Sequence, residues 1–291
     1  MVNSDSSKMP ASASVLRYAA FTDTPDGGNP AGVVMDAAAL DDEQMLEIAR
    51  SVGYSETAFL TPRASAEYDA RYFSSEAEVP FCGHATIAAA VALAGREGPG
   101  DLIFHVSAGE VPVATTDAAG LITASLTSVG THTVPAEAAM VDEALAALGW
   151  RETELDPELP PHVAYAGAYH LVLGAATRAR LGSLDYDFER LKALMLEADL
   201  TTVDLVWRER ADLYHARNPF PVGGVYEDPA TGAAAAAFGG YLRSLGLVSA
   251  PARVTIRQGE DMGRPSLLTL DIPPGEGGIT VSGTAVPIVS P

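Results

Sequence analysis

Residues 78–93 read EVPFCGHATIAAAVAL, and the change of pattern inside this stretch organises the chain. The first positions suit a short extended run, Cys82-Gly83-His84 a sharp polar turn, and residues 85–93 an uncharged helix of small side chains. A helix that is apolar on every side is a buried helix, and this one is far too short to span a bilayer. The pattern predicts a helix running through the middle of a domain, with the amides of Gly83, His84 and Ala85 at its start. Those donors have no intrahelical partner and lie at the positive end of the dipole, so they favour an anion.

The pattern recurs. Residues 217–242, RNPFPVGGVYEDPATGAAAAAFGGYL, repeat the order seen from Arg71: an Arg-led strand, a Gly-containing turn and an Ala-rich helix. Arg71 stands as far before Cys82 as Arg217 does before Asp228, which makes Cys82 and Asp228 the expected equivalents. Self-similarity at a long fixed period is a fold-level signal. It predicts two similar domains by duplication, 14–130 and 131–291, after a disordered tail at 1–13. The symmetry of Arg71 and Arg217 points to a structural role for both.

The remaining elements follow the same order in each half. Strands are expected at 15–21, 31–35, 55–61, 67–73, 102–106, 110–114 and 121–126, with a Ser-Ala-Gly turn at 107–109. Asp41 is a plausible N-cap for a helix whose face is Met45, Ile48, Ala49 and Val52, ended by Gly53. In the second half strands are expected at 168–173, 202–208, 212–216 and 254–257, with a helix opening at Leu184. A linker at 128–137 divides the halves, and a strand pair at 279–289 closes the chain.

Composition narrows the function classes. A net charge of −20 disfavours nucleic acid and anionic membrane faces, which require basic patches. The single cysteine, Cys82, excludes an intramolecular disulfide and fits a reducing, cytoplasmic setting. The first residues lack the apolar core of a signal peptide. No His/Asp/Glu spacing resembles a metal site, and the glycines form neither GxGxxG nor a P-loop.

Four motifs occur in order: GNPAGVV at 28–34, SETAFL at 55–60, EVPFCGHAT at 78–86 and EDPATG at 227–232, followed by Gln258-Gly259 and Gly263-Arg264-Pro265. Together they resemble the PhzF-like family, named for a phenazine-biosynthesis isomerase, and more distantly diaminopimelate epimerase. The resemblance covers the chain from about Val15 onward. It implies an α+β fold of two domains, each a curved, mostly antiparallel sheet around a central helix. It also implies an active site between them, no cofactor and a homodimer. It leaves open that 279–291 packs on the first domain.

The resemblance assigns acid–base roles to Glu56 of the SET motif, His84 of the GHA turn and Asp228 of the DPATG turn. It makes Asn29 and Ser55 site-lining groups. Substrate-binding positions fall at Gly83, Ala85, Gly232 and Ala233, around the two helix starts. In the epimerase relative cysteines occupy both turns; here Cys82 stands in the first and Asp228 in the second, which argues against a two-thiol racemase. Ala233 replaces the Ser that many family members carry after the Gly, so a substrate hydrogen bond is missing there. Each residue also has a plainer reading: a solvated strand Glu56, a capping His84 or Asp228, a turn Asn29, an inert buried Cys82.

The resulting expectation is a cofactor-independent isomerase moving a proton on a small carboxylate held between the domains. Two other classes stay open. One is a hydrolase or redox protein using Cys82 with a lowered thiol pKa. The other is a non-catalytic protein that binds a small ligand or partner on the same scaffold.

Overall fold

A computed structural model of the chain describes residues 14–107 and 109–289; the expected tail at 1–13 and Ala108 of the Ser-Ala-Gly turn lie outside them. The first half contains β1 (Leu16–Ala20), β2 (Asn29–Val34), α1 (Asp42–Val52), β3 (Glu56–Ala64), β4 (Glu67–Phe73) and β5 (Glu78–Val79). It continues with α2 (Gly83–Glu97), β6 (Asp101–Val106), β7 (Gly109–Ala118) and β8 (Leu121–Thr127). The second half holds β9 (His132–Pro135), α3 (Ala138–Leu148), β10 (His162–Tyr165), β11 (Tyr169–Gly174), α4 (Arg178–Gly182) and α5 (Phe188–Glu197). Then come β12 (Thr202–Arg210), β13 (Leu213–Pro219), β14 (Glu227–Asp228), α6 (Gly232–Ser244), β15 (Ala252–Gln258), β16 (Ser266–Ile272) and β17 (Thr280–Pro287).

Local chemistry sets these elements. Asp41 and Gln44 form a reciprocal capping box on α1, and Gly53 ends it in the left-handed conformation. Residues 84–94 of α2 are all buried, because small alanines let strands approach from every side. The helix packs on β1, β2, β3, β7, β8 and β17. Ile87 and Leu93 are fully buried, each stabilising the fold by about 1.5–3 kcal/mol.

In the first half, β1, β2, β3, β4, β6, β7, β8 and β17 pair in succession, and β17 returns to β1, closing a ring around α2. The second half repeats the ladder. β10, β11, β12, β13, β15 and β16 pair in the same order and sense, around α6. The mixed α+β class and the duplication follow from this order.

Three sequence expectations change. The region 128–137 is not a simple linker: Ser128 and Thr131 donate to the Ile279 and Gly277 carbonyls, extending the β8–β17 ladder toward β9. Residues 279–289 form one strand, β17, rather than a pair, and it joins β8 and β1 of the first half to β16 of the second. The helix expected from Leu184 begins at Phe188, because the Asp187 side chain caps it through the Arg190 amide. The sequence pattern also passed over α3, β10 and β16. The two crossing segments press on α6. A side chain at Gly239 would lie 2.9 Å from Ile279, and one at Gly240 2.5 Å from Thr131. That close approach explains two helix-interior glycines, each costing about 1 kcal/mol of helix propensity.

The two arginines are structural, as their symmetry suggests. Arg71 bonds Glu78 and Asp42, while buried Arg217 makes a two-pronged pair with Glu227 at 2.9 and 2.5 Å. Each clamps its β-hairpin. The hairpins differ in length, however: Phe73 lies opposite Glu78 in the first, Pro219 opposite Glu227 in the second. From each glutamate the run to the helix is equal, Glu78 to Gly83 and Glu227 to Gly232. The equivalent of Cys82 is therefore Thr231, and that of Asp228 is Val79. The expected match of Cys82 with Asp228 fails because the longer second hairpin shifts the register. Among the described residues no helix is long and apolar enough to cross a membrane.

A buried polar chain lies in the second sheet. Thr202 Oγ1 donates to Asn218 Oδ1 at 2.7 Å, Asn218 Nδ2 donates to Asp204 Oδ1 at 3.0 Å, and His170 Nδ1 lies 2.7 Å from Thr202 Oγ1. Burial pushes the Asp204 carboxyl up to about 7 and the His170 imidazole down to about 3. A carboxyl with a raised folded pKa binds its proton more tightly in the native state. Its stabilising contribution is complete below its unfolded pKa and is lost as pH rises toward 7. Asp204→Asn is expected to raise the melting temperature at pH 8, with the gain shrinking as pH falls to 4.5. Melting curves of both proteins at the two pH values check this; a constant offset would remove Asp204 as the titrating group.

Candidate active site

Four elements deliver the site. Glu56 opens β3, Asn29 opens β2, His84 lies in the first turn of α2 and Asp228 ends β14. Glu56 sits beside Ala31 across the parallel β2–β3 pair, so both strand starts face the same end of the first sheet. Asp228 arrives from the second half, paired with Asn218.

Asn29 joins the halves. Its Nδ2 donates to Asp228 Oδ1 at 2.7 Å and to the Ala230 carbonyl at 3.2 Å, and lies 3.2 Å from His84 Nδ1. On the far side of the ring, His84 Nε2 is 3.3 Å from Glu56 Oε2 and 3.3 Å from Ser55 Oγ. Cys82 Sγ lies 3.4 Å from His84 Nδ1 and 3.6 Å from Glu56 Oε2. The two Asn29 Nδ2 hydrogens go to Asp228 and Ala230, and a carboxylate oxygen only accepts, so the tautomer that bonds Glu56 carries its proton on Nε2. The order is Glu56, His84, Asn29, Asp228. Asn29, His84, Cys82 and Asp228 are buried, whereas the Glu56 side chain keeps 17% of its surface exposed.

The sequence-predicted residues converge. Gly83 and Gly232 are the first residues of α2 and α6, and a side-chain carbon on Gly83 would sit 3.9 Å from Gly232 Cα. The two helix starts therefore meet end to end. Neither N-cap residue, Cys82 nor Thr231, caps its helix through its side chain. The cap of α6 is thus Thr231, not Asp228. Ala85 and Ala233 fall in the same first turns, and Ala233, half-buried, presents only a methyl group. Free amides of two helix starts at one junction suit a carboxylate.

Burial dominates the electrostatics. It raises the Asp228 carboxyl, an effect opposed by His84, by the Thr231 hydroxyl and by the Asn29 amide. It also raises the Cys82 thiol well above its ordinary value, and the Glu56 carboxylate raises it further. A protonated thiol at neutral pH removes the reason for a Cys82 nucleophile. Donor atoms of Glu56, Cys82 and His84 lie within 4.8 Å of one another, a grouping the linear spacing concealed. Those three could bind a divalent ion only after the thiol lost its proton, which burial and Glu56 both resist.

Two participants escaped the sequence reading. Thr231 Oγ1 donates to Asp228 Oδ2 at 2.6 Å, and buried Gln258 bonds both Thr231 and the Asp228 carbonyl. Both stand inside motifs already noted, DPATG and Gln258-Gly259, where only their turn-forming neighbours draw attention.

The chain is similar to known proteins along most of its length. Residues 18–290 match the family model described as phenazine biosynthesis-like protein. The chain is 28% identical to an uncharacterised isomerase of Bacillus subtilis, over 94% of this chain and 96% of that one. It is 31% identical to the trans-2,3-dihydro-3-hydroxyanthranilate isomerase of Pseudomonas chlororaphis, over 86% of each. A solved structure from Pseudomonas aeruginosa, described as a predicted epimerase, superposes with a TM-score of 0.84 at 26% identity. It covers 96% of this chain and 98% of that one.

Asn29→Leu tests the bridge between halves. It strips a buried donor from Asp228 and Ala230 and adds nothing in return. Leaving such acceptors unpaired costs roughly 1–3 kcal/mol. Urea titration should show that loss; a midpoint within error of wild type would show that the bridge carries no stability.

Proposed function

Because this chain belongs to the phenazine biosynthesis-like (PhzC-PhzF) family of isomerases, we propose that it shifts a proton along a small conjugated carboxylate without a cofactor. The observation that carries the reading is the Glu56 carboxylate. It is partly exposed, in contact with His84, and set beside the junction of two helix starts.

The substrate carboxylate sits on the amides of Gly83–Ala85 or Gly232–Ala233, where the helix dipoles and unpaired donors favour it. This holds the reacting carbon against Glu56. Glu56 takes the proton from that carbon, and the C–H bonding pair moves into the conjugated system. The same carboxyl returns the proton at a second carbon. Atoms and electrons stay within one molecule, so no oxidant or reductant is required. His84 donates toward Glu56 and steadies the charge that moves through it, while Asn29 transmits the position of Asp228. The preset dipoles lower the barrier without reorganising during the step. Cys82 contributes a neutral thiol that packs against Glu56 and His84.

The relative from P. chlororaphis is named for a cyclic amino carboxylate. A small cyclic carboxylate suits this site as well, but the methyl of Ala233 gives a substrate hydroxyl or amine no partner there. The methyl group favours a substrate with no polar substituent at that point.

Glu56→Gln keeps the shape and removes the base. Turnover should fall by about 10²- to 10⁴-fold or more, while binding of small cyclic carboxylates, followed by calorimetry, persists. Assays on trans-2,3-dihydro-3-hydroxyanthranilate and related acids supply the rate. A variant turning over at nearly the wild-type rate would refute the role given to Glu56.

A further inference from the structure

Thr231 occupies the N-cap of α6, yet its side chain makes no cap bond. A threonine there ordinarily accepts from an amide of the first turn. Its hydroxyl instead reaches Asp228 Oδ2 at 2.6 Å. Gln258, at the end of β15 and almost completely buried, fixes the direction of that bond. Its Nε2 donates to Thr231 Oγ1 at 3.0 Å and to the Asp228 carbonyl at 2.7 Å, and its Oε1 accepts the Thr231 amide at 3.1 Å. An amide nitrogen only donates. The Thr231 oxygen therefore accepts from Gln258, and its own hydrogen is left for Asp228. Asn29 covers the other carboxylate oxygen from the opposite half.

We propose that Thr231 and Gln258 are positioning residues that hold Asp228 ionised and fixed in one plane at the meeting of the two helix starts. This rests on the role given to Asp228 above. Ser266 lies beside Gln258 across the β15–β16 pair and Ala216 on its other side, so no competing charge faces the amide from its own sheet. Burial, and then the Glu56 carboxylate, work against the charged form of Asp228, while His84 and the Thr231 and Asn29 donors work for it. Removing one donor should return part of the burial effect. Helix α6 loses no cap when the hydroxyl goes, because the hydroxyl never supplied one.

The test titrates Asp228 itself in the full chain, with no substrate present. Protein labelled with ¹³C at the aspartate side-chain carboxyls is followed by NMR from pH 3 to 9, and the Asp228 signal is assigned by its loss in Asp228→Asn. Thr231→Val should raise the apparent pKa of Asp228 by roughly one to two units, the worth of one hydrogen bond to a charged group. Thr231→Ser should restore the wild-type value. Gln258→Leu frees the Thr231 hydroxyl to rotate and should raise the pKa by less. If Thr231→Val does not fold, Gln258→Leu and Thr231→Ser read the same quantity. An unchanged Asp228 pKa in Thr231→Val, with only a lower melting temperature, would make the pair structural and overturn the proposal. Turnover of Glu56→Gln tests the isomerase reading separately, so failure of one does not imitate failure of the other.

Discussion

Two buried helices point their positive ends at each other. Gly83 and Gly232 let the starts of α2 and α6 approach so closely that a side-chain carbon on Gly83 would touch Gly232, and like dipole ends so placed repel unless negative charge lies near them. Glu56 and Asp228 supply that charge from strands on opposite sides of the junction. The acids that the proposed chemistry uses thus also place negative charge where the two helix starts meet. Asn29 then ties the domains together by bonding Asp228 while standing beside His84. Stability of the closed arrangement and readiness of the site are one problem with one solution.

Duplication built two sheets but kept a glutamate at only one of two equivalent strand positions. β3 and β12 occupy corresponding places, since Phe59 faces Arg71 and Leu205 faces Arg217. Counting back along each strand, the position of Glu56 is matched by Thr202, and that of Ala58 by Asp204. Thr202 and Asp204 are buried and spend their polar atoms on Asn218 and His170. The second half has turned its copy of the site inward as a polar core. The N-caps diverged similarly: Cys82 turns to Glu56 and His84, Thr231 to Asp228. An asymmetric site suits a proton moved along one molecule better than a symmetric exchange between two faces.

Much of this was legible in the chain. The capping box at Asp41, the stop at Gly53 and the all-apolar helix after His84 are local statements, and a few neighbouring residues suffice to make them. The repeated Arg, turn and alanine pattern exposed the two-domain plan, and the family resemblance pointed to Glu56, His84, Asp228 and Asn29. Loop length limits what equal spacing along the chain can show. The hairpin after β13 is longer than that after β4, so equal spacing from Arg71 and Arg217 led to the wrong equivalent for Cys82.

The sequence by itself determined the elements, the buried character of both helices and the residue types at the site, because these depend on side chains close along the chain. Only the tertiary structure decided which groups touch. Asn29 and Asp228 stand 199 positions apart, and their bond exists only because the first ring closes through β17 and the helix starts abut. Gln258 reaches Thr231 only through the register of β15 against β13. Register and ring closure are set by the packing of whole sheets, and a one-residue slip would turn each such side chain to the other face. Spacing along the chain carries no record of that choice, so the network around Asp228 had to be seen in three dimensions.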